Sequence, residues 1–345
     1  MQIAAIPTTP GALPKGEADF SKAVAVLRTL NEDDLNRTSA AIMEQLNSAV
    51  KMIPELAGHL LTAGGKRLRP ILTLSAARLL GYEGDHHIKL AAAVELIHGA
   101  TLLHDDVVDG SHMRRGAKTA NLIWGNKESV LVGDYVFSRA FELMVAAGDL
   151  RVLQVLSNAS GVIAEGEVLQ LATQKNINAT FEMYLAVVES KTAALFAAAA
   201  RAGAIIAGAN ADAEDALRRY GRNLGVAFQL VDDALDYAGF EKSLGKSVGD
   251  DFREGKMTLP VVYALDRASD KERAFWKRVI AEGDQHEDDF ERARKIMTAN
   301  DAIEDTLICA RRYAARALDD LAETPANAYS DALASLASQS VLRAH

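Results

Sequence analysis

Between Pro70 and Pro260 the chain contains no proline, although seven occur among its 345 residues. Proline removes a helical hydrogen bond and clashes with the preceding turn, so a stretch this long without one, rich in Ala, Leu and Glu, favours long uninterrupted helices. Apolar residues recur at helical spacing, as at Leu90, Val94, Ile97 and Leu102, and strict two-residue alternation is hard to find. The expected fold is all-α. Helices are expected over 19–30, 33–50, 54–63, 67–82, 86–110, 128–148, 150–174, 180–208, 212–238, 258–267, 270–282, 287–299, 300–322 and 326–341, with breaks at 110–116, 176–180 and 239–256. The last break, rich in Gly, Lys and Asp, suits a ligand-touching loop. No low-complexity linker divides the chain, so one domain over 19–345 is expected behind a flexible tail over 1–18.

With 49% hydrophobic residues the chain can bury a large core. Its 38 Lys and Arg against 47 Asp and Glu leave a net charge of −9, so no overall basic field attracts nucleic acid, and an anionic ligand must be held locally. Cys309 is the single cysteine, which fits a reducing compartment and a small buried apolar residue. The N-terminal residues lack the charged start and apolar run of a secretory leader. The most apolar stretch, 194–209, is interrupted by Arg201 and falls short of the roughly 18 to 20 apolar residues that span a bilayer, so it reads as a buried helix. A cytoplasmic location is expected.

Two acidic clusters share one spacing. LLHDDVVDG carries Asp105, Asp106 and Asp109, and FQLVDDALDY carries Asp232, Asp233 and Asp236. On a helix, positions i, i+1 and i+4 fall within an arc of roughly 100°, so each trio is a carboxylate patch. A solvated acidic face is the plain alternative. Both trios, however, follow apolar residues (Ala100, Leu102, Leu103; Ala227, Phe228, Leu230, Val231), and carboxylates at the end of core-like helices need partners. Oxygen-only ligands with open positions favour magnesium shared with a phosphate ligand, and the EF-hand loop pattern is absent.

Cations stand nearby. AGGKRLRPIL places Gly64, Gly65, Lys66, Arg67 and Arg69 ahead of or at a helix start, where glycines permit close backbone approach and anions are favoured. Arg114 and Arg115 follow the first trio by five residues and present guanidinium forks either to a metal-clamped phosphate or to the neighbouring aspartates. His98 lies two turns before Asp105. Lys191 and Thr192, in ESKTAAL, occupy an apolar context where a lysine either reaches water or meets an anion. GKSVGDDFREGKMTLP supplies Lys246, Asp250, Asp251 and Lys256 in a loop suited to closing over a bound diphosphate.

In order and spacing, GGKRLRP, ELIHGATLLHDDVVDGSHMRRG, GEVLQL, ESKTA, FQLVDDALDY and GKSVGDDFREGKMTLP resemble the trans-isoprenyl diphosphate synthase family, particularly its long-chain bacterial members, across residues 30 to 340. The resemblance implies a single-domain bundle of long helices around a deep cavity, as a homodimer, with two or three Mg2+ ions per site. It makes Asp105, Asp109 and Asp232 the leading magnesium ligands, supported by Asp106, Asp233 and Asp236. It assigns Lys66, Arg69, His98 and Arg115 to isopentenyl diphosphate. Arg114, Lys191, Thr192, Gln229, Lys246 and Lys256 would hold the allylic diphosphate, with Glu167 and Gln170 at the cavity mouth. The sequence departs from the family pattern at Lys118 and Gly99, neither in the proposed chemistry.

The implied reaction ionises an allylic diphosphate, farnesyl or similar, and adds isopentenyl diphosphate through its double bond, with water excluded. Ala100 stands where short-chain relatives carry a bulky aromatic, beside Thr101, and Phe137, Phe141 or Met144 would form a deeper floor. An octaprenyl to decaprenyl product for a quinone side chain is expected, and Ala100→Phe should shorten it. A shorter-chain synthase, a class I terpene cyclase and a noncatalytic partner subunit are the rival readings. The cyclase needs no second diphosphate site, and a noncatalytic subunit need not keep both trios. A lipid product suggests transient membrane contact on release.

Overall fold

The computed structural model describes residues 15–62, 65–238 and 248–343. Eleven helices lead through the first two thirds: α1 (Lys15–Leu30), α2 (Glu32–Gln45), α3 (Met52–Thr62), α4 (Leu68–Leu79), α5 (His86–Val108), α6 (Ala120–Trp124), α7 (Asn126–Ala146), α8 (Leu150–Thr173), α9 (Phe181–Val188), α10 (Ala194–Ile206) and α11 (Ala211–Ala238). Shorter helices Asp250–Arg253, Leu259–Asp266, Asp270–Trp276 and Asp289–Ala299 precede the long Ala302–Leu321 and the final Ala328–Ser340. The all-α expectation holds. Between α5 and α6 a two-stranded antiparallel ribbon pairs Met113 with Lys118 and Arg114 with Ala117.

Local chemistry sets many of the boundaries. Asp149 caps α8 by accepting from the Arg151 and Val152 amides, and Thr180 caps α9 through the Met183 amide. Capping boxes at Ser269/Glu272 and Asn327/Ser330 start two later helices. The expected helix 33–50 ends at Gln45, because Ser48 offers its Oγ to the Val50 amide and competes with helical bonding. The expected tail over 1–18 is too long: helix α1 begins at Lys15, and Glu17 is buried.

The core lies between α4, α5, α7, α8, α10 and α11, with α5 running through its centre and α11 packed along Ala302–Leu321. Small residues bring backbones together: a Cβ on Gly203 would meet the Thr73 carbonyl at 2.3 Å, and one on Gly221 the Phe196 carbonyl at 2.5 Å. Helix α1 packs on Ala328–Ser340, so the two ends of the described chain meet. The segment Phe181–Ile206 is long and apolar enough to cross a membrane, yet half of its most apolar window is buried in the bundle. Arg201 within it pairs with the buried Glu214, Nε to Oε1 at 2.8 Å, which explains a charge in that setting. Cys309 is buried, as expected.

Candidate active site

Helices α5 and α11 bring two aspartates of the first trio and all three of the second to the wall of one cavity of about 720 Å³. In the first trio, Asp105 and Asp109 line the cavity. Lys191 Nζ lies 3.8 Å from Asp105 Oδ2 and 2.7 Å from Glu167 Oε2. Asp106 points elsewhere: it is buried, its Oδ1 accepts from Arg114 Nε at 2.8 Å, and its Oδ2 has no hydrogen-bond partner among the described residues. Arg114 therefore serves the aspartate pairing that its spacing left open, while also lining the cavity.

The second trio is more fully engaged. Tyr184 donates its hydroxyl to Asp233 Oδ2 at 2.6 Å, and Gln229 donates through Nε2 to Oδ1 at 2.7 Å while its Oε1 accepts from Thr192 Oγ1 at 2.9 Å. Asp236 accepts from the Gly249 and Asp251 amides at 3.2 and 3.1 Å, anchoring the segment that follows α11. Asp232, the one member not buried, accepts from Arg343 Nη1 at 2.7 Å.

Lys191 and Thr192 sit on a single π-helical turn, Glu189–Ala193, between α9 and α10. Such a turn inserts one extra residue into the helical frame and often marks a functional site. Here it faces both residues to the cavity, beside Glu167 and Gln170 of α8, which also line it. Lys256 closes the circle, with Nζ 3.2 Å from Asp109 Oδ2 and paired with Glu254.

The basic segment before α4 forms the adjoining wall. A Cβ on Gly65 (φ +152°) would lie 2.8 Å from an Arg115 guanidinium nitrogen, so glycine is needed for that close approach. Arg69 stacks over the Phe196 ring at 4.6 Å and donates to His98 Nε2 at 3.1 Å, which makes that nitrogen the acceptor of a neutral imidazole. The Arg69 Nε is buried with no partner among the described residues. Lys66 Nζ pairs with Glu17 Oε1 at 2.7 Å.

Burial dominates the electrostatics. It raises Asp105 to about 6, with Lys191 opposing and Glu167 and Asp109 reinforcing. It also raises Asp233 and Asp236, each helped by Asp251. Burial, then Arg69 and Arg115, hold His98 well below the ordinary histidine range. For Lys256, burial works against the charge, but Asp251, Asp109 and Glu254 outweigh it and raise the pKa. Cavity-lining carboxylates held away from their charged form suit a site completed by cations. A divalent ion held by these few carboxylates would share its coordination with phosphate oxygens.

Besides Asp106, five expected site residues are not among those lining the cavity. Lys246 lies outside the described residues. Of the chain-length residues only Thr101 lines the cavity. Ala100 and Met144 are fully buried in the core, and Phe137 and Phe141 pack on each other with centroids 5.3 Å apart. The expectation that Ala100 borders the open cavity is thus corrected: one residue along a helix turns the side chain by about 100°. Conversely, Glu17, Glu95, Tyr184 and Arg343 had not been singled out. Glu95, one turn before His98, is a buried carboxylate that burial raises and that Arg67, Arg69 and Arg115 oppose. Its place in ELIH, on the His98 face, was the available signal.

An all-α bundle that brings two DDxxD clusters and two sets of cations to one cavity has the isoprenoid synthase fold, and its site is suited to handling diphosphates. Residues 50–297 match the polyprenyl synthetase family, and the chain belongs to that family. It is a prenyltransferase of the long-chain type. It is 45% identical to octaprenyl diphosphate synthase of Escherichia coli, over 92% of this chain and 98% of the relative. Among solved structures, a polyprenyl synthase of Caulobacter crescentus, complexed with calcium and isoprenyl diphosphate, is 52% identical with a TM-score of 0.90, covering 92% of this chain and 97% of that one. A decaprenyl diphosphate synthase of Rhodobacter capsulatus is 51% identical with a TM-score of 0.90, covering 93% and 99%.

Proposed function

We propose that the enzyme condenses isopentenyl diphosphate repeatedly onto farnesyl diphosphate or a similar starter, giving an octaprenyl to decaprenyl diphosphate for a quinone side chain. The observation that carries this reading is the convergence of Asp105, Asp109, Asp232, Asp233 and Asp236 with Lys66, Arg69, His98, Arg115, Lys191 and Lys256 on one cavity. Two anionic substrates need two cationic pockets, and a cyclase needs only one.

In this reading Asp105, Asp109 and Asp232 hold two or three Mg2+ ions, which supply electrophilic assistance to the departing diphosphate when bound. Lys191, Thr192, Gln229, Arg114 and Lys256 orient the allylic diphosphate, and the buried Lys256 adds positive charge where the leaving group gathers negative charge. Lys66, Arg69 and Arg115 hold isopentenyl diphosphate, with neutral His98 fixing the Arg69 fork. Holding both substrates in line lowers the entropic barrier, and the apolar wall of Phe196 and Phe228 keeps water from the allylic cation. In this reading the departed diphosphate accepts the final proton.

The enzyme works in the cytoplasm as a homodimer, touching a membrane only to release its lipid product. Exposed apolar side chains on α6 to α8, among them Leu122, Leu131, Val145 and Val168, support a covering second copy. The test is to incubate the enzyme with Mg2+, farnesyl diphosphate and labelled isopentenyl diphosphate and read product lengths by mass spectrometry. A ladder ending at eight to ten isoprene units is expected. A cyclic hydrocarbon, or no extension despite diphosphate binding, would overturn the reading.

A further inference from the structure

Nothing in the reaction above uses Glu17 or Arg343, yet both are buried against the site. Arg343 is clamped between two aromatic rings, its guanidinium carbon 5.1 Å from the Phe20 centroid and 4.8 Å from that of Phe228. Its Nη1 donates to Asp232 Oδ1 at 2.7 Å, and its Nε donates to Glu17 Oε2 at 3.0 Å. The other oxygen of Glu17 holds Lys66 at 2.7 Å. Arg343, Lys66, Asp232 and Phe228 line the cavity, and Glu17 stands behind them.

A guanidinium at 2.7 Å occupies a coordination position of the Asp232 carboxylate, and a divalent cation on that oxygen would repel it. A buried arginine stripped of its only anion is strongly unfavourable, but this one has two. We propose that Arg343 is a displaceable counter-cation: it neutralises Asp232 in the metal-free enzyme, yields that oxygen when a divalent cation binds, and is retained beside the cavity by Glu17. The inference rests on the reading of Asp232 as a cation ligand.

The geometry gives the two partners opposite effects on metal binding. Removing Arg343 frees Asp232 from a competitor, so the cation binds more tightly. Removing the charge of Glu17 leaves Arg343 without an anion once the cation has bound, so the cation binds more weakly. The weakening acts through Arg343 and disappears when Arg343 is absent.

Mn2+ binding to the full-length, substrate-free enzyme, followed by electron paramagnetic resonance of the free ion, tests this directly. Arg343→Gln, or a chain ending at Leu342, is expected to tighten binding about tenfold, the weight of one charge-assisted hydrogen bond. Glu17→Gln is expected to weaken it by a similar factor, and the double variant Glu17→Gln/Arg343→Gln to match Arg343→Gln. Unchanged or weaker binding in both Arg343 variants overturns the counter-cation. A Glu17→Gln weakening that persists in the double variant traces to the released Lys66 and overturns the retaining role. Asp232→Asn separates the two levels: a variant that binds Mn2+ as the wild type does overturns the cation-ligand reading itself.

Discussion

Lys256 Nζ lies 3.2 Å from Asp109 Oδ2, which ties the segment after the second aspartate trio to the last aspartate of the first. That segment is itself held from α8: Gln174 Nε2 donates to the Glu254 carbonyl at 2.7 Å, and the Lys175 amide to that of Gly255 at 3.3 Å. The segment that Asp236 anchors through the Asp251 amide, and that the end of α8 braces, thus carries a positive charge onto the first trio.

Replacing Lys256 by alanine removes that charge without opening the core. By analogy with removal of one preorganised donor to developing negative charge, kcat/KM for the allylic substrate should fall by about 100-fold or more. The fall should lie mainly in kcat, as steady-state kinetics with farnesyl diphosphate would show. A change confined to KM would place Lys256 in ground-state binding only.

Lys66→Ala should act on the other substrate. Loss of one charged hydrogen-bond donor corresponds to about 1.5–3 kcal/mol, so KM for isopentenyl diphosphate should rise roughly 10- to 100-fold while that for the allylic substrate stays within about twofold. Equal effects on both would merge the two proposed pockets into one.

Chain length should answer to Thr101 rather than Ala100. Thr101 lines the cavity, so Thr101→Phe is expected to shorten the product, read by mass spectrometry. Ala100 is packed at 0% exposure, so Ala100→Phe must overfill the core at a cost of about 1–3 kcal/mol. A product distribution left unchanged by Thr101→Phe would contradict this account of the tunnel.

His98 predicts a pH dependence of stability. Burial and the Arg69 charge depress its folded pKa well below that of the unfolded chain, so below the ordinary range only the unfolded state takes up the proton. Stability attributable to His98 is therefore present above pH about 6.5 and lost as the pH falls through that value. Denaturant unfolding of the wild type and His98→Gln between pH 8 and 5.5 should give curves that converge towards acid. Asp105 contributes with the opposite sign, since its raised pKa makes the folded state bind more protons as the pH falls through about 6. The difference between the two proteins removes that contribution, and parallel curves would refute the role of His98.

Much of the fold and site could be read from residue order because it depends on local periodicity. A spacing of i, i+1 and i+4 forces three carboxylates onto one face whatever the helix packs against, and Gly65 before Lys66 signals a close approach that the Arg115 contact explains. Other features depended on tertiary rotation or distance. Neighbouring residues on one helix gave no sign that Thr101 would face the cavity and Ala100 the core. Asp106 shares its trio's spacing, yet Arg114 draws it away from the lumen. Glu17 and Arg343 are 326 residues apart, and neither has a local pattern that announces a partner. The π-turn at Glu189–Ala193 is hidden in a run that reads as ordinary helix.

The glycines that let α10 touch α4 and α11 also bear on how the product is measured. Gly203 and Gly221 bring the backbones so near that even one added carbon would not fit between these helices, and α10 supplies Phe196 to the cavity wall. A wall built of interlocked staves is a gauge that does not stretch under the growing chain. Each added isoprene unit meets the same boundary, so termination becomes a matter of fit and the lipid pool made by this enzyme should be narrow in length.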